Sequence, residues 1–325
     1  MSISRNIKAS SVLLGLLLNG RCIGQAAGAA TRVQYRQIHM GVQVRMAVYA
    51  ADRQAADAAC RAAYGRIAEL DDALSDYRPT SELRQLCARA GGPPVKVSED
   101  LFAVLSRAND LAERSGGAFD ATVGPYVQLW RTARQTGKLP SDEEWRAAGK
   151  LVGWRQMRLD SEARTVELLQ PGMKLDLGAI AKGYALDQAL RALREHGVTQ
   201  ALIEAGGDIA VGDPPPGRKG WRVRVWQAAK GKRRLIVANC GVSTSGDTEQ
   251  YVEIDGKCYS HIIDPRHGLR PGEPILATVV APDATTSDSL ATACVVLGEE
   301  EGRRLCAGVS GATLYTRRVA KLRRE

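Results

Sequence analysis

The residues able to do chemistry cluster in a few short stretches. The densest runs from Lys174 to Asp208 and reads Lys174-Leu175-Asp176-Leu177-Gly178-Ala179-Ile180-Ala181-Lys182-Gly183-Tyr184 at its start. An apolar strand is expected to enter a glycine turn, and the turn opens a helix that Gly197 closes. A second strand, Ala201 to Ala205, then ends in Gly206-Gly207-Asp208. A glycine turn feeding a helix start aims free N–H groups and a partial positive charge at one point, which suits a phosphate. Lys182 supplies a cation there, and Asp176 an acceptor. The same glycines would equally serve a plain strand–turn–helix corner. Neither nucleotide fingerprint is met: Gly183 is followed by Tyr184, and no G-x-G-x-x-G is present.

Three further constellations stand out. Asp288 and Thr292 are four residues apart, so both oxygens fall on one face of a helix. One carboxylate with one hydroxyl is oxygen ligation, suited to Mg²⁺ over a transition metal; an acidic residue near a helix start also arises for dipole reasons alone. His261 precedes Asp264 in His261-Ile262-Ile263-Asp264-Pro265, and a histidine beside a carboxylate can act as a base. A structural histidine bonded to backbone fits equally well. Thr244 and Ser245 carry adjacent hydroxyls in Ser243-Thr244-Ser245-Gly246. The seven cysteines form no C-x-x-C pair, which argues against zinc and thioredoxin-type chemistry; small buried thiols are the default.

The elements that must position these residues follow from periodicity. Val42, Val44, Met46 and Val48 alternate with Gln43, Arg45 and Ala47, a half-buried strand. Ala56, Ala59, Ala63, Ile67, Leu70 and Leu74 form one helical stripe. Ser98 is placed to cap the next helix, which stops at Gly116-Gly117, and Ser141 with Glu144 forms a capping box. Met157 to Leu168 reads as a hairpin. Trp221 to Val225, Leu235 to Val237 and Ala277 to Ala281 read as strands, and Ser287 as a possible cap of the last helix. Phe119, between glycines and Asp120, reads as core. Hairpins interleaved with helices predict an α+β fold with largely antiparallel sheets and packed helices.

At the N-terminus, Arg5 and Lys8 precede the apolar run Ser11 to Leu18, and Ala27-Gly28-Ala29 supplies small residues for cleavage. The run is too short to span a bilayer. It predicts a signal peptide over 1–29, a mature domain over 30–325, and a periplasmic location. Cys22 lies in a poor context for lipid attachment. Loss of Arg5, Lys8 and Arg21 takes the formal charge from +9 to +6. The remaining basic residues form no stripe interleaved with aromatics, so a nucleic-acid partner is not expected.

Taken in order, seven motifs resemble the ApbE-type FAD:protein FMN transferases, exported bacterial enzymes. They are Ser75-Asp76-Tyr77 with Ser81-Glu82-Leu83, Gly117 to Thr122, Asp176 to Gly183, Gly206-Gly207-Asp208, Thr244-Ser245-Gly246, His261 to Pro265, and Asp288 to Thr292. The resemblance runs from about Met40 to Tyr315. It implies Mg²⁺-dependent cleavage of FAD, with FMN joined through its phosphate to a threonine hydroxyl of an acceptor protein and AMP released. It also implies that FAD is lined by Met40, Tyr77, Ala118, Phe119, Asp120, Asp176, Lys182 and Ile263. Mg²⁺ would be held by the Ala179 carbonyl, Asp288 and Thr292, with Ala291 contributing in some members, and Thr244 and Ser245 would touch phosphate. His261 is then the candidate for activating the acceptor hydroxyl, with Lys182 and Asp264 beside it in catalysis. The acceptor would be a redox or electron-transfer subunit, membrane-associated ones included. Two other readings use the same residues: an FAD pyrophosphatase yielding FMN and AMP, and a non-catalytic periplasmic flavin-binding protein.

Overall fold

The computed structural model describes residues 30–227, 231–246, 251–254, 257–268 and 275–318. The leader expected over 1–29 lies outside them. Strands β1 (Thr31–His39) and β2 (Val42–Ala50) form a hairpin whose turn, Met40-Gly41, holds φ of 50° and 72°. Two positive φ values match the right-handed twist of paired strands. Helices α1 (Arg53–Leu74) and α2 (Glu82–Cys87) follow, then β3 (Val95–Lys96) and α3 (Glu99–Arg114). Helices α4 (Gly124–Thr136) and α5 (Asp142–Gly149) lead to the hairpin β4 (Met157–Asp160) and β5 (Thr165–Leu168). Next come α6 (Ala181–Glu195), β6 (Ala201–Ala205), β7 (Asp208–Val211), β8 (Trp221–Gln227), β9 (Gly231–Val237) and β10 (Cys240–Gly246). The chain closes with β11 (Tyr251–Ile254), β12 (Lys257–Ser260), β13 (Ile275–Ala281), α7 (Ala284–Ala307) and β14 (Thr313–Arg318).

Among the described residues, seven strands make one sheet in the order β1-β2-β6-β7-β10-β13-β14. Every neighbouring pair in it is antiparallel. This is the α+β architecture the sequence predicts. One face packs on α1, α6 and α7, burying Val44, Met46, Val48, Ile203, Ala277 and Val279 against Ile67, Leu70, Leu186, Leu193 and Leu290. Each fully buried Leu or Ile contributes about 1.5–3 kcal/mol. The β8–β9 hairpin covers part of the other face. Trp221 therefore buries Ala47, which strand alternation alone would leave toward solvent.

Local signals set most helix ends. Ser98 Oγ accepts the Leu101 N–H at 3.2 Å, and the Ser141–Glu144 capping box is complete. Two expectations change. Asp283, rather than Ser287, caps α7 by accepting the Thr286 N–H at 2.7 Å; Ser287 lies inside the helix and its hydroxyl meets Ser243 at 2.8 Å. Lys174 to Leu177 joins no ladder among the described residues. Its N–H groups go instead to the Ala121 carbonyl (from Asp176, 2.8 Å) and to Cys87 Sγ (from Leu175, 3.3 Å).

Candidate active site

Two carboxylates and an ammonium meet where α6 crosses α7. Lys182, in the first turn of α6, places Nζ 2.8 Å from Asp208 Oδ2 and 3.8 Å from Asp288 Oδ1. Asp208 opens β7 immediately after the turn Gly206-Gly207, whose φ values are 56° and 97°. Asp288 lies early in α7, and its Oδ2 accepts the Gly183 N–H at 3.0 Å. Only glycine permits this approach. A Cβ at position 183 would lie 2.9 Å from Asp288 Cβ and 2.7 Å from the Ala284 carbonyl carbon. The start of α6 has no side-chain cap of its own, so Asp288 caps it from another helix. The positive end of α6, expected to face a phosphate, thus already gives one N–H to a carboxylate.

Enclosure sets the electrostatics. Burial, with Asp208 close by, pushes the Asp288 carboxyl up to about 7, even though Lys182 and the Gly183 N–H favour its ionised form. Burial works against the Lys182 charge, but Asp208 and Asp288 outweigh it and hold the ammonium above its ordinary pKa. Asp208 Oδ2 is enclosed yet receives no well-directed hydrogen bond, because Lys182 approaches it off the bond axis. One turn along α7, Thr292 Oγ1 sits 3.0 Å from Ser245 Oγ. Thr244 faces the opposite side of the sheet, where its hydroxyl meets Thr278 at 2.8 Å. Of the two hydroxyls expected at a phosphate, Ser245 joins this corner and Thr244 does not. Ala179 lies in the turn just before α6, and the Ala291 side chain is buried in the core.

No group of three or more His, Cys, Asp or Glu side chains is arranged for a metal among the described residues. The donors at this corner are hard oxygens: two carboxylates and two hydroxyls. Mg²⁺ is commonly held by one or two carboxylates, waters and substrate phosphates. The enclosed, under-bonded Asp208 Oδ2 is the kind of atom such an ion satisfies. The residues fit Mg²⁺ and do not fit a thiophilic metal.

A second cluster lies on α4. Arg131 bridges Asp76 at 2.5 Å and Asp176 at 3.1 Å, and its guanidinium stands 4.2 Å from the centre of the Tyr77 ring. Tyr77 is 74% exposed, so its ring offers an open aromatic surface. Asp176 Oδ1 accepts the Gly178 N–H at 2.9 Å, and Lys182 Nζ reaches the Gly178 carbonyl at 3.4 Å, linking this cluster to the first. Burial and the neighbouring Asp76 push Asp176 up to about 6. Met40 joins through Asp71, whose Oδ2 accepts both the Met40 N–H at 3.3 Å and the Arg78 guanidinium at 3.1 Å. On the adjoining side of α4, the Trp130 ring lies 6.4 Å from that of His261, and Ile263 packs with Trp130 and Tyr126.

The side chains of Ala118, Phe119 and Asp120 turn inward. Phe119 belongs to the main core. Asp120 accepts from Thr122 N at 2.8 Å, Thr122 Oγ1 at 2.7 Å and Trp154 N at 2.7 Å. It braces the loop before α4 rather than presenting a carboxylate outward. Asp264 is likewise engaged: Arg266 takes Oδ1 through N and Nε at 3.0 and 2.9 Å, and Oδ2 through its guanidinium at 2.8 Å. Burial opposes its charge, but these bonds keep its pKa below the ordinary value. Asp264 therefore holds the turn after His261 through Arg266. Arg131, Asp76 and Asp208 were absent from the sequence-based site. The Asp76-Tyr77 and Gly207-Asp208 motifs carried the signal for two of them; nothing in the spacing marked Arg131. A hollow of about 370 Å³ beside Gln188, Arg191 and Asn239 contains none of these site residues.

The profile of the ApbE family matches residues 40–314. The FAD:protein FMN transferase of Treponema pallidum is 35% identical over 311 residues, covering 89% of this chain and 86% of that protein. A protein of the same name from Klebsiella pneumoniae is 32% identical over 274 residues, covering 82% and 83%. Among solved structures, the apo form of Pseudomonas stutzeri flavinyl transferase ApbE superposes with a TM-score of 0.78 at 27% identity, covering 89% of this chain and 95% of that one. The ApbE protein of Thermotoga maritima gives 0.77 at 30% identity, covering 87% and 93%. The chain belongs to the ApbE family.

Proposed function

We propose that this chain is an exported, Mg²⁺-dependent FAD:protein FMN transferase. It moves FMN from FAD to a threonine hydroxyl of an acceptor protein and releases AMP. Relatives bearing the transferase name, similar over most of the chain, support flavin transfer. The observation that carries the proposed chemistry is the docking of Asp288 on the α6 corner, within reach of Lys182 and Asp208.

Asp288, Thr292 and the Ala179 carbonyl would hold Mg²⁺, with Asp208 beside them, and the ion would neutralise charge on the diphosphate. Lys182 adds a fixed ammonium at the same place, ready for the charge that builds on the phosphoryl oxygens. Tyr77 offers its ring face to the flavin, and Arg131 fixes that ring from beneath. His261 takes the proton from the acceptor hydroxyl as its oxygen bonds to the phosphorus of the FMN half. The phosphorus–oxygen bond to the AMP half breaks, and AMP leaves with the electron pair. The acceptor is a redox or electron-transfer subunit on the far side of the inner membrane, where the leader over 1–29 directs this protein.

The test mixes the protein with FAD, Mg²⁺ and a threonine-containing acceptor peptide. AMP release matched by FMN-labelled peptide is expected, and Asp288→Ala should abolish both while the protein still binds FAD. Equal FMN and AMP with no labelled peptide would make the protein a pyrophosphatase. Unchanged AMP release in Asp288→Ala would remove the metal from this corner.

A further inference from the structure

Helix α7 breaks at Gly298, where φ is 80° and ψ is −177°. In an unbroken helix, residues 294 and 306 would stand about 18 Å apart. Here Cys294 Sγ and Cys306 Sγ are 3.5 Å apart, because the second half of α7 folds back on the first. Gly302 makes the close approach possible: a Cβ there would lie 3.1 Å from both Cβ and Sγ of Cys294. Both cysteines are buried, at 0% and 3% exposure. Cys60, Cys87 and Cys240 are also free thiols, in α1, α2 and β10.

We propose that Cys294 and Cys306 are a site of covalent modification, where a small-molecule or protein disulfide closes a cystine between the two halves of α7. A disulfide needs sulfurs about 2.05 Å apart, so the facing pair must close by about 1.5 Å. The two sulfurs face each other, and either thiol can donate to the other. Cys306 follows Arg303 and Arg304 by three and two residues, and their charge favours its thiolate, so it attacks first. It displaces one thiol from the oxidant and forms a mixed disulfide. The Cys294 thiolate then attacks the Cys306 sulfur and releases the second thiol. The two cysteines lose two protons and two electrons, and the oxidant takes up both as two thiols. With both sulfurs enclosed in the finished fold, the exchange takes place before the second half of α7 seals. The bond fastens α7 behind Thr292 and Asp288, two and six residues before Cys294.

The full chain should be unfolded, refolded with oxidised glutathione, denatured in urea with N-ethylmaleimide present to block every remaining thiol, and mapped by mass after trypsin. Cleavage after Arg303 and Arg304 separates the two cysteines, so the bond appears as two joined peptides. A Cys294–Cys306 linkage is expected, with a melting temperature about 5 °C above that of protein refolded in dithiothreitol. Cys306→Ser should abolish that shift and Cys60→Ser should keep it. N-ethylmaleimide on both Cys294 and Cys306 after oxidative refolding, or either joined to a different cysteine, would overturn the proposal. The mapping uses the unmodified sequence, so a variant that fails to fold does not blunt it, and its outcome is independent of the flavin chemistry.

Discussion

The Asp288 carboxylate accepts the Gly183 N–H at 3.0 Å, so two residues 105 positions apart fix one corner of the molecule. Ordinarily Gly→Ala inside a helix stabilises by about 0.5–1 kcal/mol. Gly183→Ala should do the reverse. The new methyl would meet the Ala284 backbone and Asp288 Cβ, neither of which can yield without separating α6 from α7. A loss of about 3 kcal/mol is expected by urea unfolding, together with loss of flavin transfer. A variant as stable as the parent would mean that the helices are not clasped this way.

Lys182 is the counter-charge for Asp208 and Asp288. Lys182→Met keeps the stem and removes the charge, leaving two enclosed carboxylates facing each other. The cost should be about 3 kcal/mol, since unpairing a buried charge costs more than deleting the whole set. Adding Asp208→Asn to Lys182→Met should recover part of it. With Asp208→Asn alone as the third variant, the set and the parent form a double-mutant cycle, and simple additivity would show that the pair is not coupled.

Much of this was legible in the sequence because it is local. Ser98 and Ser141 cap the helices that follow them, and Asp288 and Thr292 share a face because the spacing is helical. What stayed hidden depends on distant chain. Ser287 and Asp283 both have capping chemistry, and packing of Ser287 against Ser243 decided between them. Strand β1 carries a weak apolar alternation, with Val33 its one fully buried residue, and gave little signal as a sheet edge. Arg131 reads as a solvated helical charge until folding brings Asp76 and Asp176 to it. Lys174 to Leu177 has strand-like composition, but it pairs with no strand among the described residues.

Asp120 tests whether the loop before α4 is braced from within. Asp120→Ala would leave the N–H groups of Thr122 and Trp154 without their acceptor in a buried place. Unsatisfied buried donors cost about 1–3 kcal/mol each, so a total near 3 kcal/mol is expected in denaturant unfolding. Asp120→Asn keeps one acceptor oxygen and should lose about 1 kcal/mol. Equal, negligible losses in both would return Asp120 to the role of a ligand-facing carboxylate.

Asp176 should leave a mark on the pH dependence of stability. Burial and Asp76 raise its folded pKa from 3.8 to about 6. Between these values the folded chain holds the proton more tightly than the unfolded chain. The stability this gives is complete below about pH 4 and is lost as pH rises through about 6. Asparagine does not titrate, so the parent should lose roughly 2–3 kcal/mol relative to Asp176→Asn between pH 4 and 7, the other carboxyls cancelling in the difference. Urea titrations of both proteins at several pH values would read it directly. Arg131→Met removes the cation that favours the carboxylate, so in that background the fall should move to higher pH. A flat difference across the range would mean that the Asp176 carboxylate is as well accommodated in the fold as in water, and that Arg131 balances Asp76 completely.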